Sequence, residues 1–365
     1  MQIFRSVFCA VVLLFVCPSV GCNSGSKPNF ISSPIKRFPG TGALAFSPDG
    51  RYFFSGKELR TTSDWSVVFE LPTNPPGGAM WASFSTDSQV LSVLSSGVVS
   101  VVDVPNRKVV FDRPVNGAIA ASYDPESQTV FSIDSNGTVR RWSREIKPSA
   151  KATDFGEPLE VVVPDLEREA MDFGGVDISE ASNLAAVANE TQIRFFKTNK
   201  LEEVSVVEVD LPRMAMPRNV VKISPEGSRA AFTNGSDARI VKIDNSAKQV
   251  KIFTYPKGPI IALDWCRNGS ILAAVCFSHD SGNICVQFFN AENGDTLGIV
   301  PVHGHQGTRY GRMAVGGDHF LATCGADNAH DRDESIVKIW DYEVLLTQTL
   351  KKNPPYYEET IRTNR

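Results

Sequence analysis

Seven times along this chain a large apolar residue leads into a short polar turn, and a second apolar run follows. The turns are Phe46-Ser-Pro-Asp-Gly50, Phe84-Ser-Thr-Asp-Ser88, Tyr123-Asp-Pro-Glu-Ser127 and Ile178-Ser-Glu-Ala-Ser182, then Ile223-Ser-Pro-Glu-Gly227, Trp265-Cys-Arg-Asn-Gly269 and Val315-Gly-Gly-Asp-His319. Their first residues are 38, 39, 55, 45, 42 and 50 positions apart. The Ser-Pro-Asp-Gly form has a physical reason: Pro presets the second turn position, Asp bonds nearby backbone, and Gly accepts positive φ. Each turn is followed by a short strand-like run: Tyr52–Phe54, Val90–Val93, Thr129–Ile133, Leu184–Val187, Ala230–Phe232, Ile271–Phe277 and Phe320–Thr323. A unit this small cannot bury both faces of its own sheet. Its neighbours must cover it, so the repeat constrains the fold more than any single motif does.

Two further strands recur in the units. Third strands alternate at Val98–Val102, Thr138–Trp142, Gln192–Phe196, Ile240–Asp244, Cys285–Phe289 and Ile336–Trp340. Fourth strands follow at Val67–Leu71, Lys108–Phe111, Glu203–Val209, Gln249–Thr254 and Thr296–Val300. Four strands per unit at this period describe an all-β, seven-bladed β-propeller of antiparallel blades. The 27 glycines and 22 prolines among 365 residues suit many short strands joined by tight turns. No stretch has the length and periodicity of a helical domain. The net charge of −4 gives no basic surface for nucleic acid.

The last unit carries the most regular strand, Ser335-Ile336-Val337-Lys338-Ile339-Trp340-Asp341, which ends in Trp-Asp. Gly304-His305 stands about 35 residues upstream, at blade spacing. On these motifs, and on the repeated turns, the chain resembles the WD-repeat β-propeller family over about residues 35–350. It departs from the family in placing Trp at the end of the third strand only at Trp142 and Trp340. The resemblance implies a structural hydrogen-bonded set in the last blade, made of His305, Thr323, Glu334 and Trp340. Family members usually carry Asp where Glu334 stands. The last blade's outer strand could come from Ile31–Phe38, as is common in the family, or locally from Val344–Leu350. Beyond the ring, residues 351–365 read as a polar tail.

Residues 1–21 read as an export signal. Arg5 is the only charge, and Val7 to Cys17 is a mostly apolar run of 11 residues, too short to span a bilayer. The segment ends in Ser19-Val20-Gly21-Cys22, which resembles the lipobox of bacterial lipoproteins. That implies lipid on Cys22, although the family prefers Leu where Ser19 stands. Plain secretory cleavage after Gly21 is the alternative, and both readings export the protein. Residues 22–34 then form a flexible tether.

All five histidines lie between residues 279 and 330. His303-x-His305 puts two imidazoles on one strand face, and Asp327, His330, Asp331 and Asp333 lie nearby in sequence. Such residues can ligate a metal, but a blade histidine and a solvated acidic loop explain them as well. No metal or cofactor is therefore assigned. There is no nucleophile elbow and no phosphate loop, so no catalytic residue is assigned either. Cys276 and Cys285 flank a turn in register for direct cross-strand pairing. They can form a disulfide or remain two buried thiols.

The expected function is binding: an exported, lipid-anchored, monomeric propeller that acts as a protein-interaction scaffold in the cell envelope. The acidic insertion Arg144 to Gly174 is a candidate partner loop. The alternative is a lactonase-like or other hydrolytic propeller with its site in the central funnel, marked by histidines and acids converging on the axis.

Overall fold

The computed structural model describes residues 33–352 except 41, 73–78, 135–136, 144–157, 163–174, 180, 189–191, 210–219, 245–248, 255–257, 280–281, 305–311, 318 and 328–334. Strand β1 (Lys36–Pro39) stands apart and closes the ring. The first blade is β2 (Leu44–Phe46), β3 (Tyr52–Ser55), β4 (Glu58–Thr61) and β5 (Val67–Glu70). The second is β6 (Trp81–Phe84), β7 (Val90–Ser95), β8 (Val98–Asp103) and β9 (Lys108–Pro114). The third is β10 (Ala118–Asp124), β11 (Thr129–Asp134), β12 (Thr138–Ser143) and β13 (Leu159–Val162). The fourth is β14 (Val176–Ser179), β15 (Leu184–Ala188), β16 (Gln192–Lys197) and β17 (Glu202–Glu208). The fifth is β18 (Val221–Ile223), β19 (Arg229–Asn234), β20 (Asp237–Lys242) and β21 (Gln249–Thr254). The sixth is β22 (Ile260–Cys266), β23 (Ile271–Phe277), β24 (Ile284–Asn290) and β25 (Thr296–His303). The seventh is β26 (Arg312–Gly316), β27 (Phe320–Gly325) and β28 (Ile336–Asp341), completed by β1.

The turns form as their residue types dictate. Ser47 Oγ donates to Asp49 Oδ1 at 2.7 Å and accepts the Tyr52 N–H at 2.9 Å. Ser85 and Asp87 repeat this in the second blade, and Ser224 accepts the Arg229 N–H in the fifth. Gly50 and Gly227 sit at φ +70° and +71°, where a side chain would be strained.

Each seam between neighbouring blades holds one apolar cluster, seven in all. Strand faces that no single blade could cover are thus buried between two. At the seam where the ring closes, Phe46, Phe53, Trp65 and Phe320 pack ring to ring, with centroids 4.6–6.2 Å apart. The N-terminal strand closes the ring, with Lys36 paired to Ile339 and Phe38 to Val337.

Two elements differ from the sequence reading. Part of the insertion Arg144 to Gly174 is β13, the third blade's outer strand, tied to β12 by the Arg140–Glu160 ion pair at 2.6 Å. Strand propensity there sits inside an acidic stretch, which hides the period. The second element is helix α1 (Tyr342–Lys352), which lies where a local closing strand would have been. Asp341 Oδ1 caps it by accepting the Glu343 and Val344 N–H groups at 3.0 and 3.1 Å. Tyr342, Leu345, Leu346 and Thr349 form its buried face, at helical spacing. This face packs against β25, where Gly298 lets it approach.

Candidate functional site: the axial channel

The strand nearest the axis in each blade is the one before the turn. Aligned on the turn's leading residue, the position just before it is Ala45, Ser83, Ser122, Asp177, Lys222, Asp264 and Ala314. Three consecutive blades therefore set Asp, Lys and Asp side by side near the axis. Lys222 Nζ donates to Asp177 Oδ1 at 3.0 Å. The other Asp177 oxygen accepts the Ile223 N–H of the next blade at 2.8 Å. Asp264 likewise accepts the Val315 N–H of the next blade at 2.8 Å and its neighbour Trp265 N–H at 2.9 Å. Trp265 Nε1 reaches back to the Lys222 carbonyl at 3.0 Å. The row thus stitches blades four to seven together along their inner edge.

Burial by itself would lower the Lys222 pKa. The charges of Asp177 and Asp264, with the Asp177 hydrogen bond, overcome this and hold it raised. Burial raises the Asp264 pKa, and Lys222 with the two N–H donors offsets that only in part. Lys222 is therefore a fixed ammonium rather than a base poised near neutrality.

Beside this row lies a cavity of about 280 Å³ at the end where the inner strands begin. Leu44, Trp81, Ile119, Val176, Ile261 and Met313 are among its apolar walls, and its charged lining residues are Lys222 and Arg312. The described lining contains no histidine and no acid. The sequence reading missed Asp177, Lys222 and Asp264. Aligning the units on Ile178, Ile223 and Trp265 would have found them, since each stands one residue before the turn.

Of the expected set in the last blade, Thr323 and Trp340 are brought together: Trp340 Nε1 donates to Thr323 Oγ1 at 2.9 Å. The histidine that meets Thr323 is His303, with Nε2 at 3.0 Å, two residues before His305. The strand β25 extends through His303 and turns its ring into the blade. His305 and Glu334 lie outside the described residues, as do His330, Asp331 and Asp333. Burial, helped by the Lys338 charge, holds His303 well below the usual imidazole range. Lys338 is itself buried, donating to the Val302 carbonyl at 2.9 Å and to Asp327. Asp327 also pairs with Arg37 of β1 at 3.2 Å, so this acid helps hold the closing strand. His303 and Asp327 are thus engaged inside the blade. Among the described residues, no group of three or more His, Cys, Asp and Glu could hold a metal ion. Cys276 and Cys285 stand directly opposite each other in the β23–β24 ladder. Cys22 lies outside the described residues.

The architecture defines the protein as a seven-bladed β-propeller of four-stranded antiparallel blades. Among solved structures it is similar to the β-propeller domain of Cps50 (Swd1) from Myceliophteria thermophila, with a TM-score of 0.62. The match covers 85% of this chain and 99% of that domain, at 11% identity. It is one of 1354 matching chains of known structure, so the likeness selects a fold and not a function. No protein-family model and no curated protein matches the chain.

Proposed function

We propose that the protein is an exported, lipid-anchored propeller that acts, as a monomer, as a protein-interaction scaffold in the cell envelope. The observation that carries the binding reading is the use of the axial charges. Lys222 bonds Asp177, and Asp177 and Asp264 each bond the next blade's backbone. A rigid ring held in this way presents loops at both ends, which suits recognition. Anchoring follows from the export segment ending in Gly21-Cys22. Lipid on Cys22 would hold the ring at a membrane through the tether of residues 22–34, and β1 would fix that tether to the seventh blade.

The test is cross-linking in intact cells, followed by affinity capture of the tagged full chain and of Cys22→Ser. A discrete partner absent from a tag-only control, with wild type in the membrane fraction and Cys22→Ser in the soluble envelope fraction, is the expected result. A wild-type chain that is soluble with an unmodified N-terminus replaces anchoring with secretion. Capture of nothing beyond the control removes the scaffold reading.

A further inference from the structure

We infer that Cys276 and Cys285 are a redox-sensitive pair in the sixth blade, and that closing them into a disulfide is felt at the axial cavity and at the seam with the seventh blade. This is independent of the scaffold and anchoring readings above. Three observations carry it.

The first is the kind of position the pair occupies. The β23–β24 ladder keeps one register from Ile271–Asn290 to Phe277–Ile284, with Cys276 opposite Cys285. Just past one end, the Ser278 N–H donates to the Asn283 carbonyl at 2.9 Å. Just past the other, the Ala291 N–H donates to the Ser270 carbonyl at 3.0 Å. Hydrogen-bonded pairs alternate along an antiparallel ladder, and counting from either end makes Cys276–Cys285 a hydrogen-bonded pair. Cα atoms of such a pair stand about 5.5 Å apart, within reach of a disulfide. Their Cβ atoms stand wider than the ~3.8 Å that a disulfide favours. The two sulfurs share a face of the blade, but they join only if the strands draw together. A disulfide closed against such resistance is readily reduced, which suits a switch rather than a permanent staple.

The second is where the strands can yield. Each cysteine has a bulge against its other edge. On β22 the register shifts between Ile260, opposite Cys276, and Ala262, which sets out Ile261. On β25 it shifts between His303, opposite Ile284, and Pro301, opposite Cys285, which sets out Val302. The other described ladders between third and fourth strands shift once or not at all, whereas β24–β25 shifts twice. Pro301 also has no N–H to give the ladder. A bulge interrupts pairing and lets a strand bend. The ladder between the cysteines is unbroken, so its contraction is taken up in these flanking bulges. Ile261 lines the axial cavity. The Val302 carbonyl accepts Lys338 Nζ at 2.9 Å, and His303 meets Thr323 at 3.0 Å. Closure therefore shifts a cavity wall on one side and the contacts to the seventh blade on the other.

The third is access. Cys276 is fully buried, and Cys285 is partly exposed. Burial and the neighbouring Cys285 push the Cys276 thiol up. Cys285 is thus the sulfur an oxidant meets first, and Cys276 is the one that resolves. The oxidant is a disulfide, on a small molecule or a protein. The Cys285 thiolate attacks one oxidant sulfur and releases the other as a thiolate. Cys276 then gives up its proton, attacks Cys285 Sγ in the mixed disulfide, and releases the second oxidant thiolate. Two thiols are oxidised, and the oxidant disulfide is reduced to two thiols that take up the two protons.

The test equilibrates the full chain, in detergent, with glutathione buffers of rising disulfide fraction. Each sample is acid-quenched, alkylated and peptide-mapped, and a parallel sample is read by hydrogen exchange. A Cys276–Cys285 linkage should rise with the disulfide fraction and revert in dithiothreitol without denaturant. In the oxidised wild type, exchange in residues 258–264 and 299–304 should change by about three-fold or more. Cys285→Ser, treated alike, should show no such change, and Cys276→Ala serves as the control if that variant fails to fold. Glutathione held on Cys285 with no linkage to Cys276, or no linkage at the most oxidising ratio, would overturn the inference. So would a linkage that reverts only after unfolding, or one that leaves exchange in both segments unaltered.

Discussion

At the scale of single residues, several buried polar groups of the last blade are held by specific neighbours. Trp340 is 1% exposed and gives its indole N–H to Thr323. Trp340→Ala should lose about 3–5 kcal/mol, read as a lowered midpoint in chemical denaturation. An unchanged midpoint would show that the indole does not hold the sixth and seventh blades together. His303 makes stability depend on pH. Its folded pKa is depressed, so the unfolded chain binds the extra proton as pH falls below about 6.5. The His303 contribution is fully present above that pH and is lost as pH drops. Unfolding midpoints measured between pH 8 and 5 should therefore fall more for wild type than for His303→Gln. Parallel curves would show that His303 is not held neutral. Lys222 matters in the opposite sense, as a charge that must stay. Lys222→Met leaves Asp177 and Asp264 uncompensated. With the Lys222 side chain 29% exposed to the channel, the loss should be about 2–4 kcal/mol. A neutral effect in denaturation would mean that channel water already screens the row.

At the scale of elements, legibility followed local chemistry. The turns were readable because Ser47, Asp49 and Gly50 act within a few residues of one another, and the strands after them alternate. The third blade's outer strand was hidden because Leu159–Val162 follows a long separation and pairs at distance with β12. Helix α1 was hidden for a different reason. Its apolar face is short, and its stability comes from docking on β25 rather than from its own sequence. That docking needs the space at Gly298, where an added Cβ would stand 2.2 Å from Thr349 Oγ1. Gly298→Ala should therefore cost about 1–3 kcal/mol. Hydrogen exchange should show the loss concentrated in α1, and Thr349→Gly in the same chain should recover part of it. Uniform protection across α1 in the single variant would contradict the packing. The candidate site was the least legible part. Asp177, Lys222 and Asp264 are single residues 45 and 42 positions apart, and only the closed ring brings them together. In the last blade β25 continues through His303, whose ring meets Thr323, while the His305 marked by the Gly-His dipeptide lies outside the described residues.

At the scale of the whole molecule, closure is the central fact. One N-terminal strand completes the seventh blade, and its Arg37 shares Asp327 with the buried Lys338. A chain anchored just before β1 would load this closing strand directly. The binding proposed for this ring is tested at the end where its inner strands begin. The most direct measurement places a photoreactive side chain at Met80, which lines the cavity there, and at Val67, exposed on the first blade's outer edge. Both full-length variants are irradiated in intact cells. One discrete protein adduct is expected from the Met80 position and none of that mass from Val67. A folded, correctly localised chain that gives no adduct from Met80, or the same adduct from both positions, would contradict it.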